Sequence, residues 1–162
     1  MRDDEFERLY AAEAAGLFSF LAYRTGDRVL AEDLLADAFE RALRSRGRFD
    51  RRRGSQKTWL YAIALNALRD HARRHAAEAR AYERATVTVP GGDFGGFDAI
   101  DDRDRLGRAL QSLTSEEREA VALRFGAELT VPEIATLSGE KLSTAEGRVY
   151  RALRKLRQRL EE

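Results

Sequence analysis

The 162-residue chain has no cysteine, two prolines, one tryptophan and no long apolar run. The lack of cysteine excludes disulfides and thiolate metal sites. No stretch of about 18 apolar residues occurs, so the sequence predicts no membrane insertion. The first ten residues, MRDDEFERLY, are acidic and lack the cationic and apolar regions of a secretory signal. We therefore expect a cytoplasmic protein.

Histidine is also scarce. His71 and His75 are the only two, and their spacing of four suits a two-histidine metal pair on a helix. No third ligand lies nearby in sequence, and Arg73 and Arg74 would repel a cation. The sequence favours solvated or phosphate-facing histidines, and it predicts no metal and no cofactor.

A net charge of only +1 conceals a strong segregation of charge. Residues 1–43 hold 5 basic and 10 acidic side chains, whereas residues 44–85 hold 12 basic and 4 acidic ones. Residues 147–160 contain six basic side chains and no acid. Two solvated helix faces would produce such a pattern, but segregation on this scale favours a polyanionic partner.

Helical periodicity dominates both ends of the chain, and no strand pattern is convincing. Gly26 and Gly47 are expected to end the first two helices, and Ser55 is expected to cap the third. The segment TVTVPGGDFGGFDAIDD has no helical period, is rich in glycine and carries only acidic charge, which is typical of a linker, although a short hairpin is the alternative. The prediction is an all-α protein of two small helical domains joined by a flexible linker, with these ranges: 1–85, 86–104 and 105–162.

The C-terminal segment ELTVPEIATLSGEKLSTAEGRVYRALRKLRQRL fits a helix-turn-helix. Gly139 would make the turn, and Leu142 would plug the junction between the two helices. Four residues at spacings of 4, 3 and 4 are expected on the inner face of the second helix: Val149, Leu153, Leu156 and Leu160. A three-helix packing motif without a DNA role has a similar apolar pattern, but the basic run favours nucleic acid.

Both halves resemble the extracytoplasmic-function (ECF) sigma factors of bacterial RNA polymerase. AEDLLADAFERALRSRGRFDRRRGSQKTWLYAIALNALRDHARR is similar to the region that binds core polymerase and melts the promoter. LTSEEREAVALRFGAELTVPEIATLSGEKLSTAEGRVYRALRKLRQRL is similar to the domain that binds the upstream promoter element. The resemblance implies a transcription initiation factor that is not an enzyme.

The resemblance also implies three sets of site residues. The minus-ten set would track and hold the melted strand: Arg51, Arg52, Arg53, Ser55, Gln56, Lys57, Asn66, Arg69, Arg73 and Arg74. The minus-thirty-five set would bind duplex: Lys141, Ser143, Thr144, Glu146, Arg148, Arg151 and Lys155. The core-binding set would dock on polymerase: Asp33, Asp37, Glu40 and Arg41.

The implied partners are promoter DNA, the clamp of the largest polymerase subunit, the flap of the second-largest subunit and an anti-sigma factor. The chain departs from the family pattern at Glu140, Glu146 and Gly147, which either weakens or retargets minus-thirty-five recognition. Trp59 lies in an apolar stripe, which favours a core role over stacking on a base.

Two other functions stay open from the residues alone. A stand-alone helix-turn-helix regulator would bind duplex without polymerase, but it leaves TWLYAIALN and the basic loop unexplained. A nuclease or phosphotransferase would need a catalytic or phosphate-cradling cluster, and the glycines at 91–96 lack a following Lys-Ser or Lys-Thr.

Overall fold

The computed structural model describes residues 1–76 and 100–162, with side chains described for 1–76 and 104–162. The described residues contain helices and no strand, which confirms the predicted all-α class. The predicted linker boundary at 85/86 and the alternative hairpin lie outside them. None of the helices in these ranges is long and apolar enough to cross a membrane.

Residues 1–76 of the N-terminal domain contain three α-helices, here named α1 (Asp3–Thr25), α2 (Arg28–Ser45) and α3 (Gln56–Arg74). Gly26 ends α1 in the left-handed conformation with φ 71°, as predicted. The Asp27 side chain then caps α2 by accepting from the backbone N–H groups of Val29 and Leu30. Each boundary therefore has a local chemical cause.

Gly47 does not end α2, contrary to the prediction. The helix ends at Ser45, whose hydroxyl donates to the Arg41 carbonyl, and Gly47 lies within the short 3₁₀ turn Arg46–Arg48. A second 3₁₀ turn, Arg51–Arg53, follows before α3. The loop between α2 and α3 thus contains two tight turns, which carry all of its arginines.

The C-terminal domain contains α4 (Ile100–Gln111), α5 (Ser115–Val121), a π-helical turn (Ala122–Gly126), α6 (Val131–Ser138) and α7 (Leu142–Glu161). The hydroxyls of Thr114 and Thr130 accept N–H bonds at the starts of α5 and α6, in capping boxes completed by Glu117 and Glu133. Gly139, with φ 65°, makes the turn between α6 and α7. The predicted helix-turn-helix is therefore present, and α7 is its second helix.

Two predicted core positions of α7 are wrong. Leu142 is 45% exposed and does not plug the junction, and Leu153 is 39% exposed. The predicted positions Val149 and Leu156 are buried, and with Ala145 and Ala152 they form the buried face of α7, while Leu160 is partly buried beside it. The face thus has four buried residues. Two of these four are alanines, so small residues bring α7 close to its neighbours.

The two domains share one buried core. Leu123, Leu129 and Ile134 of the second domain are at most 1% exposed and cluster with Leu17 and Phe20 of α1. A polar contact borders this apolar junction, where Arg24 of α1 donates to the Ser115 hydroxyl at 3.0 Å and lies 3.5 Å from Glu119. The described parts of the two domains are therefore packed together in this structure.

Candidate nucleic-acid interface

The loop between α2 and α3 is held in shape by its own side chains. Asp50 accepts from the backbone N–H of Arg52 at 3.0 Å and from its guanidinium at 3.1 Å. These Arg52 bonds hold the pKa of the Asp50 carboxyl below its usual value. Gly54 has φ 152°, a conformation that side-chain-bearing residues rarely adopt. The arginines of Arg51–Arg53 are consequently exposed on an ordered turn.

Ser55 joins this loop to α3. Its hydroxyl accepts from the Thr58 backbone N–H at 3.0 Å, which confirms the predicted N-cap. Gln56 and Lys57 form the first turn of α3 and are partly exposed. The cap therefore places three members of the predicted minus-ten set side by side at the start of one helix.

A cavity of about 480 Å³ opens beside this helix start. Its walls come from the loop and from the beginning of α1, and its lining residues are Glu5, Arg8, Phe49, Arg51, Gly54, Ser55 and Gln56. A volume of this size accommodates a small ligand or one nucleobase. Three predicted minus-ten residues line the cavity, whereas the α1 residues were not predicted from the sequence.

The outer face of α3 continues the predicted minus-ten set. Asn66, Arg69 and Arg73 are exposed and follow one another at spacings of three and four, so they share one side of the helix. Arg73 pairs with Asp70, while Arg69 and Arg74 have no ion pair among the described side chains. This face presents one amide and several cations to solvent.

Trp59 occupies a position between core and surface. Its ring meets the Phe49 ring edge-on at a centroid distance of 5.4 Å, and its apolar body packs against the buried cluster. Phe49 also lines the cavity, so the tryptophan supports a cavity wall from behind. This position agrees with the predicted structural role.

The predicted core-binding residues lie on α2. Asp33, Asp37 and Glu40 occupy one helical face, and Asp33 is exposed with no partner among the described residues. Arg41 donates to Asp37 at 3.0 Å and to Asp70 of α3 at 2.8 Å. The hydrogen bonds that Asp70 accepts from Arg41 and Arg73 hold the pKa of its carboxyl below the usual value. Arg41 thereby links α2 to α3.

The predicted minus-thirty-five residues divide into two groups on α7. Ser143, Thr144, Glu146 and Arg151 are exposed, and so is Lys141, which precedes the helix. A β-carbon on Gly147 would lie 3.1 Å from Nη1 of Arg151, so the Arg151 side chain folds over the bare backbone. This group forms the free side of the helix.

Arg148 and Lys155 belong to the other group. Arg148 donates to both oxygens of Glu140 at 2.7 and 2.6 Å, and its side chain is only 17% exposed. Lys155 lies 2.9 Å from both carboxylate oxygens of Glu117, the capping residue of α5. The structure pairs both cations with acids of their own domain, and their predicted contact with DNA stays a prediction.

Some exposed residues of α7 were not predicted to belong to the site. Tyr150 is 67% exposed, and Arg154 and Arg157 also face solvent with no carboxylate partner among the described side chains. The sequence did carry a signal for these three residues, since positions 150, 154 and 157 recur at spacings of four and three on the side of the helix opposite the buried face. His71 and His75 end α3 with ring centroids 4.8 Å apart.

Comparisons with known proteins agree on one family. Residues 9–78 match the family described as Sigma-70 region 2, and residues 103–156 match the family described as Sigma-70, region 4. The RNA polymerase sigma factor CarQ of Myxococcus xanthus is 38% identical over 166 residues, covering 98% of this chain and 91% of CarQ. The ECF RNA polymerase sigma factor BldN of Streptomyces coelicolor is 31% identical, covering 94% of this chain and 59% of BldN.

Two solved structures share the fold. The sigma factor RpoE of Bartonella quintana, crystallised with the anti-sigma factor NepR, has a TM-score of 0.79 at 22% identity and covers 98% of both chains. CnrH, solved with the cytosolic domain of CnrY, has a TM-score of 0.72 at 24% identity, covering 99% of this chain and 90% of that one. The chain belongs to the extracytoplasmic-function sigma factors, the subunits that give bacterial RNA polymerase promoter-specific initiation.

Proposed function

We propose a division of labour among three surfaces of this sigma factor. The loop and the outer face of α3 hold the melted non-template strand at the minus-ten element. The acidic face of α2 docks on the clamp of the largest polymerase subunit. The free side of α7 binds the minus-thirty-five element as duplex, and the protein itself is not an enzyme and works in the cytoplasm.

The observation that carries the minus-ten assignment is the cavity beside an ordered cationic loop. A melted strand needs positive charge along its phosphates and a pocket for an unstacked base. Arg52 and Arg53 are exposed next to the cavity, and the cavity is large enough for one base. The Asn66 amide lies farther along the same helix and both donates and accepts hydrogen bonds.

The assignment of α7 rests on its charge and its place in the helix-turn-helix. The beginning of the second helix of this motif enters the major groove. Lys141, Ser143 and Thr144 occupy that beginning, and Arg151 lies two turns farther on the free side. Arg154 and Arg157 extend the cationic surface beyond the predicted set. They lie farther from the beginning of the helix, where we expect contacts with phosphates rather than with bases.

The test is run-off transcription with core polymerase and a promoter selected from random DNA by the reconstituted holoenzyme. The proposal predicts promoter-dependent RNA only when this protein is added. Tight, specific duplex binding by the protein without polymerase, and no RNA with polymerase, would instead identify a stand-alone regulator. Control by an anti-sigma factor stays a prediction, which co-purification from the native host would test.

A further inference from the structure

The beginning of α1 forms one wall of the cavity next to α3. Glu5 and Arg8 are three residues apart, so both side chains leave the same side of α1, and both line the cavity together with Ser55 and Gln56. These two residues lie about fifty positions from the loop in sequence. The cavity therefore contains a carboxylate and a guanidinium that do not belong to the cationic loop.

Glu5 is held in one orientation. Its Oε2 accepts from the Arg2 backbone N–H at 2.8 Å, its Oε1 accepts from the Arg51 guanidinium, and its side chain is only 12% exposed. The Arg2 N–H and the Arg51 charge hold the pKa of the Glu5 carboxyl below its usual value, so Glu5 is ionised at neutral pH. A carboxylate accepts at about four lone-pair sites and donates at none, which leaves acceptor capacity toward the cavity.

We propose that Glu5 is a specificity-determining residue of this cavity and accepts a hydrogen bond from the exocyclic amino group of the unstacked base. The cavity then takes an amino-bearing base and rejects thymine. This inference rests on the proposed function, because it assumes that the cavity receives a base of the melted minus-ten strand. The supporting geometry is the carboxylate of Glu5, which lines the cavity and is fixed by its bonds from Arg2 and from the loop residue Arg51.

The rejection of thymine follows from the chemistry of base edges. Cytosine, adenine and guanine each carry an amino group that donates, and glutamate accepts from such groups. Thymine places its O4 oxygen where cytosine has its amino group, so an ionised Glu5 would face an acceptor and repel it. Arg8 supplies donors for the ring nitrogens or carbonyls of the accepted base, and Phe49 supplies an apolar surface.

The experiment measures open-complex formation by the reconstituted holoenzyme on its selected promoter. Each unstacked non-template position of the minus-ten element carries cytosine, adenine, guanine or thymine in turn. At the position that discriminates against thymine, the preferred base is then replaced by its analogue without the amino group: 2-pyrimidinone, purine or hypoxanthine. The wild type is compared with Glu5→Gln and with the control Glu7→Gln, since Glu7 is exposed on α1 and does not line the cavity.

The wild type and Glu7→Gln should open the analogue template about tenfold more slowly or worse, the size expected for a lost hydrogen bond to a charged group. Glu5→Gln should lose most of the discrimination against thymine, because its amide N–H can donate to O4 while its carbonyl still accepts from an amino group. Its slowing on the analogue template should also shrink, because a neutral acceptor binds the amino group more weakly than a carboxylate does. An unchanged preference in Glu5→Gln, or an equal slowing on every template, would overturn the role of Glu5. Failure of the wild type to produce any promoter-dependent RNA would overturn the proposed function as well.

Discussion

Replacing Arg148 with alanine should cost stability and leave the salt dependence of promoter binding unchanged. Arg148 forms two hydrogen bonds with Glu140, and a third carboxylate oxygen, from Glu116, lies 3.9 Å away. Glu140 comes directly after the turn at Gly139, so the pair joins the turn to the second helix. Arg148 therefore stabilises the helix-turn-helix, and its charge is already neutralised inside the domain.

The size of the effect follows from the burial of the pair. Exposed ion pairs contribute about 0.2–1 kcal/mol, and hydrogen bonds to charged groups contribute about 1.5–3 kcal/mol. The side chains of Arg148 and Glu140 are 17% and 27% exposed, between these two cases. We expect Arg148→Ala to lower the free energy of unfolding by about 2 kcal/mol, and Glu140→Ala to lower it by a similar amount. The variant that carries both substitutions should lose far less free energy of unfolding than the two single variants lose together.

The same pair should make this loss depend on pH. The hydrogen bonds from Arg148 hold the pKa of the Glu140 carboxyl below its ordinary value of 4.5. A depressed carboxyl pKa stabilises the fold above the unfolded value, and the contribution disappears as the pH falls through the folded value. Urea unfolding should therefore show the whole difference in free energy of unfolding between wild type and Arg148→Ala at about pH 7. This difference should shrink below about pH 4.5.

Arg151→Ala is the matched control on the same helix, because Arg151 is exposed and has no carboxylate partner among the described side chains. Loss of a phosphate contact lowers the slope of log affinity against log salt by about 1. Holoenzyme binding to an upstream promoter fragment should show this change for Arg151→Ala and not for Arg148→Ala. A slope that falls by about 1 in Arg148→Ala would refute the reasoning.

Two further predictions concern the other surfaces. Gly147→Ala should raise the free energy of unfolding by up to about 1 kcal/mol in thermal melts, because glycine is unfavourable inside a helix. The same substitution should weaken duplex binding, because the new methyl group displaces the Arg151 guanidinium. Unchanged binding would argue against a contact between Arg151 and DNA. Exchanging Arg52 and Lys57 for alanine should impair promoter opening more than core binding, and Asp33→Ala should do the reverse. If both proteins behave alike in the two assays, the division of labour is wrong.

Local chemistry explains which parts of the fold could be predicted from the sequence. The boundaries at Gly26, Ser55 and Gly139 depend on a left-handed glycine or a capping hydroxyl, and each signal lies within a few residues of its effect. The predicted burial of Leu142 and Leu153 was wrong for a different reason. Apolar spacing shows that a helix has an inner face, but the small residues Ala145 and Ala152 define where that face lies. The apolar residues Val149 and Leu156 do lie on that face, whereas Leu142 and Leu153 do not.

The site was harder to predict, because its contacts join distant residues. Lys155 meets Glu117 across 38 residues, and Arg51 meets Glu5 across 46. A charge count shows that cations are concentrated in a segment, but it does not show which of them are already neutralised by an acid elsewhere in the fold. The cavity wall supplied by α1 was not predicted, because it too depends on contacts between residues that are distant in sequence.

Pairing within the fold therefore separates the cations that shape each surface from those that remain for a polyanion. Arg41, Arg148 and Lys155 are bonded to carboxylates of neighbouring helices or turns, and removing them would disturb the scaffold before it affected DNA binding. Arg52 also has a carboxylate partner, Asp50, but its side chain is 90% exposed, and exposed pairs contribute little. A phosphate can displace such a partner at small cost. Of the cations on the proposed DNA surfaces, those without an ion pair among the described side chains are the ones whose charge is available to DNA: Arg53, Lys57, Arg69, Arg74, Lys141, Arg151, Arg154 and Arg157.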